Sequence, residues 1–159
     1  MDLLDQLLDH DDWATTTLLE ASIDLTDEQL DQQFDTGHRT LRATYEHMIP
    51  NVAFWAGLMT GRPVDMEMSN RTVAEMIDGH KRFYADFAAT ARRLRDEHFL
   101  DGTYLDHYGV RKSIGGTILM VVLHNTEHRT EAQHFLQRLG MRNVPEVDPG
   151  IWEYRLLNH

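Results

Sequence analysis

Residues 113–140 read SIGGTILMVVLHNTEHRTEAQHFLQRLG, and this stretch decides the fold. It has no strand-like alternation and is long enough for seven helical turns at about 3.6 residues per turn. The reading places a helix from near Ser113–Thr117 to Gly140, a natural C-terminal stop. Its first half, Ile118 to Leu123, is apolar nearly all round and is expected to be the most buried element of the chain. Thr117 to Leu123 is also the longest strongly apolar run, and it is far too short to span a bilayer.

Working outward, three further helices carry the same rhythm. Thr72-Val73-Ala74-Glu75 is a capping-box pattern, and the helix it opens runs to about His98 along Val73, Met76, Ile77, Phe83, Phe87 and Leu94. Before it, Thr40 to Met59 shows a stripe of Leu41, Tyr45, Ile49, Val52 and Ala56. Pro50 lies inside that helix and is expected to bend it just after His47. Leu3 to about Ser22 repeats apolar residues at Leu4, Leu7, Leu8, Trp13, Leu18 and Leu19. Between these helices, Ile23 to His38 has no sustained period, apart from a helix start at Thr26-Asp27-Glu28-Gln29. Leu100 to Ser113 reads as irregular or hairpin-like, punctuated by Gly102 and Gly109. The tail from Met141, with Pro145, Pro149, Trp152 and Tyr154, is expected to pack over the rest.

Four amphipathic helices without a convincing strand run argue for an all-α protein, a four-helix bundle formed by residues 1–159 as one domain. The connection opened by Gly61-Arg62-Pro63 is about ten residues, or roughly 30 Å if extended. That length can cross a bundle, so neighbouring helices need not all be antiparallel.

Composition narrows the partners. The 42% apolar content is that of a globular chain. No cysteine is present, which removes thiolate metal sites, disulfides and a cysteine nucleophile. Fifteen basic residues face 26 acidic ones, a net charge of −11, and no basic run exceeds Arg92-Arg93. Binding to nucleic acid or to an anionic membrane is disfavoured by that balance. Met1-Asp2-Leu3-Leu4-Asp5 is acidic and broken, unlike a signal peptide, so a soluble, cytoplasmic protein is expected.

Ten histidines make their spacing the next question. His124 and His128 are four apart on the last long helix, so both imidazoles share one face, along with Val121, Glu131 and Phe135. Two imidazoles do not complete a metal site. His47, on what reads as the buried part of the second helix, is the best-placed third donor. Three neutral imidazoles leave one position of a tetrahedral divalent ion for water or substrate. Asn125 stands where a zinc-protease motif needs glutamate, and Glu131-Ala132-Gln133-His134 is a single Glu-x-x-His where a di-iron carboxylate bundle needs two. His10, His80, His98, His107, His134 and His159 show no partner at useful spacing and read as solvated. Trp13, Tyr45, Phe54 and Trp55 read as core packing, and Arg129 as a helix-surface residue.

These residues resemble the DinB-like (DinB/YfiT) metalloenzyme family over nearly the whole chain. Asp12-Trp13-Ala14 is similar to its first-helix aromatic motif. Thr44-Tyr45-Glu46-His47-Met48-Ile49 with Trp55 is similar to the segment carrying its first metal histidine. His124 to Glu131 resembles its H-x-x-x-H-R-G-Q signature, and Leu139-Gly140, then Pro145 and Asp148, its ending. The resemblance implies an up-down-down-up four-helix bundle, often a homodimer, with a zinc- or nickel-like ion on His47, His124 and His128. It also implies a small-molecule substrate and chemistry with a low-molecular-weight thiol cofactor, as in relatives that are thiol transferases or a maleylpyruvate isomerase. This sequence departs from the signature at two points, and differs from many members at one further position. Thr130 replaces its glycine, Glu131 its glutamine, and Glu127 stands where many members carry an extra histidine. Glu131 is therefore the candidate for a catalytic or ligand-orienting carboxylate.

Overall fold

The computed structural model describes residues 1–158. In chain order it contains α1 (Leu3–Ala21), α2 (Asp27–Leu30), α3 (Leu41–Thr60), α4 (Val73–Asp96), β1 (Thr103–Leu105), β2 (Arg111–Ser113), α5 (Ile114–Arg138) and α6 (Pro149–Asn158). Each helix start is dictated locally. The Thr72 hydroxyl accepts from the Glu75 amide at 3.2 Å, while the Glu75 carboxylate accepts from the Thr72 amide at 3.0 Å. Asp2 and Thr26 cap α1 and α2 with the same reciprocal pair, while Thr40 and Ser113 cap α3 and α5 through the side-chain acceptor alone, satisfying amides that a helix leaves unpaired. α3 runs unbroken through Pro50 and ends at Gly61, whose φ of 64° is the left-handed cap conformation.

α3 packs against α4 and α5, and α1 packs against the same two helices. Contacts along each pair give the directions. On α1 and α4, Asp5 meets Arg92, the Leu8 carbonyl accepts from Tyr84, and Asp12 meets His80, so these helices run oppositely. Arg42, at the start of α3, donates to the carbonyls of Asn70 and Arg71 just before α4, while Arg62, just past α3, pairs with Asp86. α3 and α4 therefore run the same way. Residues 61–72 return along α3 to make this possible, and at Gly57 a Cβ would lie only 2.0 Å from the Val64 side chain of that returning segment. On α3 and α5, His47 and Asn51 face His124 while residues 37 and 38 face Glu131, an antiparallel pairing.

The interior is filled by Leu8, Leu18, Tyr45, Ile49, Phe87, Val121 and Phe135, all essentially inaccessible. Tyr45 brings a hydroxyl into this core and satisfies it on Ser22 Oγ at 2.9 Å and the Leu18 carbonyl at 3.2 Å. Phe34, in the irregular stretch before α3, stacks on Phe135 at 4.6 Å between centroids and so ties that stretch to α5.

Some sequence expectations are corrected here. The front half of α5 is not buried all round: Ile118, Val121 and Val122 are buried, but Leu119 and Leu123 are about half exposed, because α1 and α3 pack against other faces of α5. Arg129 is not a surface residue but 2% exposed. Nor are His10 and His80 solvated, at 8% and 2%. His80 closes on Asp12 at 2.9 Å and His10 on the Val147 carbonyl at 2.8 Å, both partners lying far away in sequence. His98, His107 and His134 are exposed as expected, and His159 lies outside the described residues. The tail contains a helix that its prolines concealed. Pro149 stands at the first position of α6, where its missing N–H costs nothing, and Asp148 accepts from the Gly150 amide at 2.7 Å.

Candidate metal centre

His47 on α3 and His124 and His128 on α5 meet in the seam between these antiparallel helices. His124 Nε2 lies 3.1 Å from His47 Nε2 and 3.0 Å from His128 Nε2. One Nε2 proton cannot serve both contacts, so hydrogen bonding alone does not account for the cluster. Nitrogens bound to a tetrahedral ion at 2.0–2.1 Å are roughly 3.3–3.4 Å apart, so both contacts of His124 are within a few tenths of an ångström of the spacing between two ligands of one ion. His47 is exposed rather than buried, and His124 and His128 are half-buried, so the cluster opens to solvent on one side.

The outer nitrogens are held as well. His128 Nδ1 lies 3.0 Å from Glu131 Oε2, one turn along the same face. An ionised carboxylate only accepts, so the proton sits on Nδ1 and the Nε2 lone pair is presented to the cluster. His124 Nδ1 lies 3.3 Å from Asn51 Nδ2, an amide donor, so this ring presents its Nε2 lone pair to an ion once the Asn51 amide turns its Oδ1 toward Nδ1. Glu131 also receives a segment the sequence reading left out. Its Oε1 accepts from the main-chain N–H of His38, and its Oε2 lies 3.2 Å from His38 Nδ1. The His38 ring stacks on His47 at 4.3 Å and sits edge-on to His128 at 4.8 Å.

His38 and Asn51 are the two residues of this centre that sequence reasoning missed. Asn51 was within reach, because it stands four residues after His47 and so shares its helical face. His38 carried no such signal, since it lies in a stretch without periodicity.

A structure of the same architecture is known: a DinB-like protein from Bacillus cereus ATCC 10987 superposes with a TM-score of 0.68 at 21% identity, covering 91% of this chain and 95% of that one. The DinB superfamily model matches residues 10–132, from the middle of α1 to the first turn past His128. This chain belongs to the DinB superfamily. No curated protein matches it.

Within this DinB chain, the residue between the paired histidines and Glu131 plays a part opposite to a surface residue's. Arg129 points away from the imidazoles into the α1–α5 interface, where its guanidinium pairs with Asp11 and donates to Thr15 at 3.2 Å and Thr126 at 2.9 Å. Asn125 follows it, donating to Asp11 Oδ2 at 2.8 Å. The segment His124–Glu131 thus divides by helical face. His124, His128 and Glu131 face α3, while Asn125 and Arg129 anchor α5 to α1.

The centre depends on Gly37. Its φ is +53°, and an added Cβ would lie 1.6 Å from Glu131 Oε1. Gly37→Ala is expected to expel the carboxylate from its contact with the His38 amide and to destabilise the protein by about 1–3 kcal/mol, the scale of a left-handed backbone penalty plus a displaced buried acceptor. A denaturant midpoint equal to wild type would contradict this packing.

Charge at the centre follows from its crowding. Partial desolvation of the ring inside the cluster, with the neighbouring His38, His128 and His124, pushes the His47 pKa down from 6.5 to about 4. Burial and His128 lower that of His124. Burial raises the Glu131 carboxyl, but the His128 ring and the His38 amide and ring outweigh it and leave the group below its usual range. His47 and His124 are therefore neutral beside an ionised carboxylate at neutral pH. For His47 the folded state binds protons less readily than the unfolded chain, so its contribution to stability is present above about 6.5 and lost as pH falls toward about 4. In ion-free protein, chemical denaturation across that window should show stability falling with acid, and His47→Gln should flatten the fall.

Proposed function

We propose that this chain binds one divalent ion, zinc or nickel, on His47, His124 and His128, and uses it with a small thiol to transfer that thiol to an electrophilic small molecule. The approach of three Nε2 atoms to within 3.0–3.1 Å along the chain His47–His124–His128 carries the reading. A bound ion would supply Lewis acidity that favours the ionised form of a thiol. The chain's own residues do the positioning. Glu131 keeps His128 in one tautomer, Asn51 braces His124, and the exposed side of His47 leaves a path for a small molecule. Glu131 has both oxygens engaged, which suits an orienting role better than proton transfer to substrate.

The wider reading is an up-down-down-up four-helix bundle of α1, α3, α4 and α5, supported by the helix directions above. A second copy of the chain is the partner proposed for the exposed Leu119 and Leu123 on α5. The setting proposed is cytoplasmic; no helix among the described residues is long and apolar enough to cross a membrane.

A second reading, a metal-binding bundle without catalysis, is favoured by one observation: His38 crowds the same imidazoles and would close the ion from substrate. Elemental analysis of protein purified without a nickel column tests the shared premise. Wild type should carry close to one ion per chain, and His124→Ala close to none. Equal content in both would refute the assignment. Turnover of a panel of electrophiles with small thiols then separates the readings, since only the first predicts conjugate formation.

A further inference from the structure

We infer that His38 is a fourth nitrogen ligand of this centre, delivered from the segment before α3 and oriented by Glu131. The inference rests on the metal reading above and changes its ligand set. His38, His47 and His128 each offer one ligand atom, and the three atoms lie within 4.8 Å of one another. Bonds of 2.0–2.1 Å put tetrahedral ligand nitrogens roughly 3.3–3.4 Å apart, so a closing movement of up to about 1.5 Å brings His38 onto the ion.

Glu131 makes that approach directional. Its Oε2 lies 3.0 Å from His128 Nδ1 and 3.2 Å from His38 Nδ1. One ionised carboxylate thereby assigns the Nδ1–H tautomer to both rings and leaves both Nε2 lone pairs free, the usual arrangement of a carboxylate behind a metal-bound imidazole. Its other oxygen fixes the main chain of the same segment through the His38 amide. Gly37 permits the close approach that a side chain would block. The segment is also pinned at Phe34, stacked on Phe135. His38 is therefore placed by Glu131 and, through Phe34, by Phe135, both on α5, with its ring stacked on His47 of α3. An ion held by four imidazoles is closed, and a thiol reaches it only by displacing His38, whose ring is the one on an irregular segment.

Cobalt(II) titration of ion-free protein, followed by its visible absorption, tests this. Wild type should give the intense band of a four-coordinate nitrogen site. His38→Ala and His38→Gln keep the main-chain donor to Glu131, and should bind cobalt roughly tenfold or more weakly with a weaker, shifted band. Added imidazole should restore the wild-type band in His38→Ala. Variants with unchanged band and affinity would overturn the inference and leave the three-histidine site standing. Weaker affinity with an unchanged band would overturn it too, showing that His38 acts only through Glu131. No cobalt bound by wild type would remove both readings.

Discussion

Asp11→Ala is expected to lower stability by about 3–5 kcal/mol, the typical cost of leaving one member of a buried ion pair without its partner. Asp11 is 0% exposed and Arg129 2%. The substitution strands more than the guanidinium, because Asp11 Oδ2 is also the acceptor for Asn125 Nδ2 at 2.8 Å. Thr15 and Thr126 remain as neutral acceptors for Arg129, but they cannot balance its charge. A domain of this size loses roughly 2–4 °C per kcal/mol, so the melting temperature should fall on the order of 10 °C. Replacing both partners, as Asp11→Leu with Arg129→Met, should recover most of the loss, since apolar pairs often equal a buried salt bridge. Calorimetry on the two single variants and the double variant measures the coupling. A single-variant loss under 1 kcal/mol would mean that water or another acceptor reaches Arg129. The pair also explains how α5 keeps its rotation about its own axis: with Arg129 fixed on α1, His124 and His128 must face α3.

Glu131→Ala should weaken binding of the proposed ion by about 10–100-fold, the effect expected when a carboxylate behind a ligand imidazole is removed. Two imidazoles lose their orientation together here, and the His38 main chain loses its acceptor, so the upper part of that range applies. Glu131→Gln is the informative control. It is nearly isosteric and restores the residue type of the family signature, but it lacks the charge that holds two Nδ1 protons. Its affinity should fall between those of wild type and Glu131→Ala. Titration calorimetry with zinc reads all three, and equal affinities would mean that Glu131 only packs against Gly37.

Much of the fold is visible in local sequence because its causes are local. Thr72 and Glu75 cap α4 through contacts three residues apart, and the boundaries of α1, α3, α4 and α5 fall within a few residues of their expected places. α6 was hidden because Pro145 and Pro149 signal a loop, although proline is equally at home on a helix's first turn. The burial of His10, His80 and Arg129 was hidden for a different reason. A polar residue is buried only where a partner meets it, and their partners are 137, 68 and 118 residues away.

The amino-acid sequence alone determined that His124 and His128 share one face with Glu131, because 3.6 residues per turn is a property of the helix itself. It also determined, through capping residues and apolar periodicity, where the long helices begin and, for α1, α3 and α4, which stripe turns inward. Tertiary structure decided which imidazoles join that pair. His47 arrives because α3 runs antiparallel to α5, and His38 arrives because Gly37 adopts a positive φ that lets the His38 amide meet a carboxylate 93 residues further on. Neither follows from neighbours in the chain. Loop conformation and helix pairing are set by packing between distant segments, and the free energy that selects them exists only once those segments are in contact.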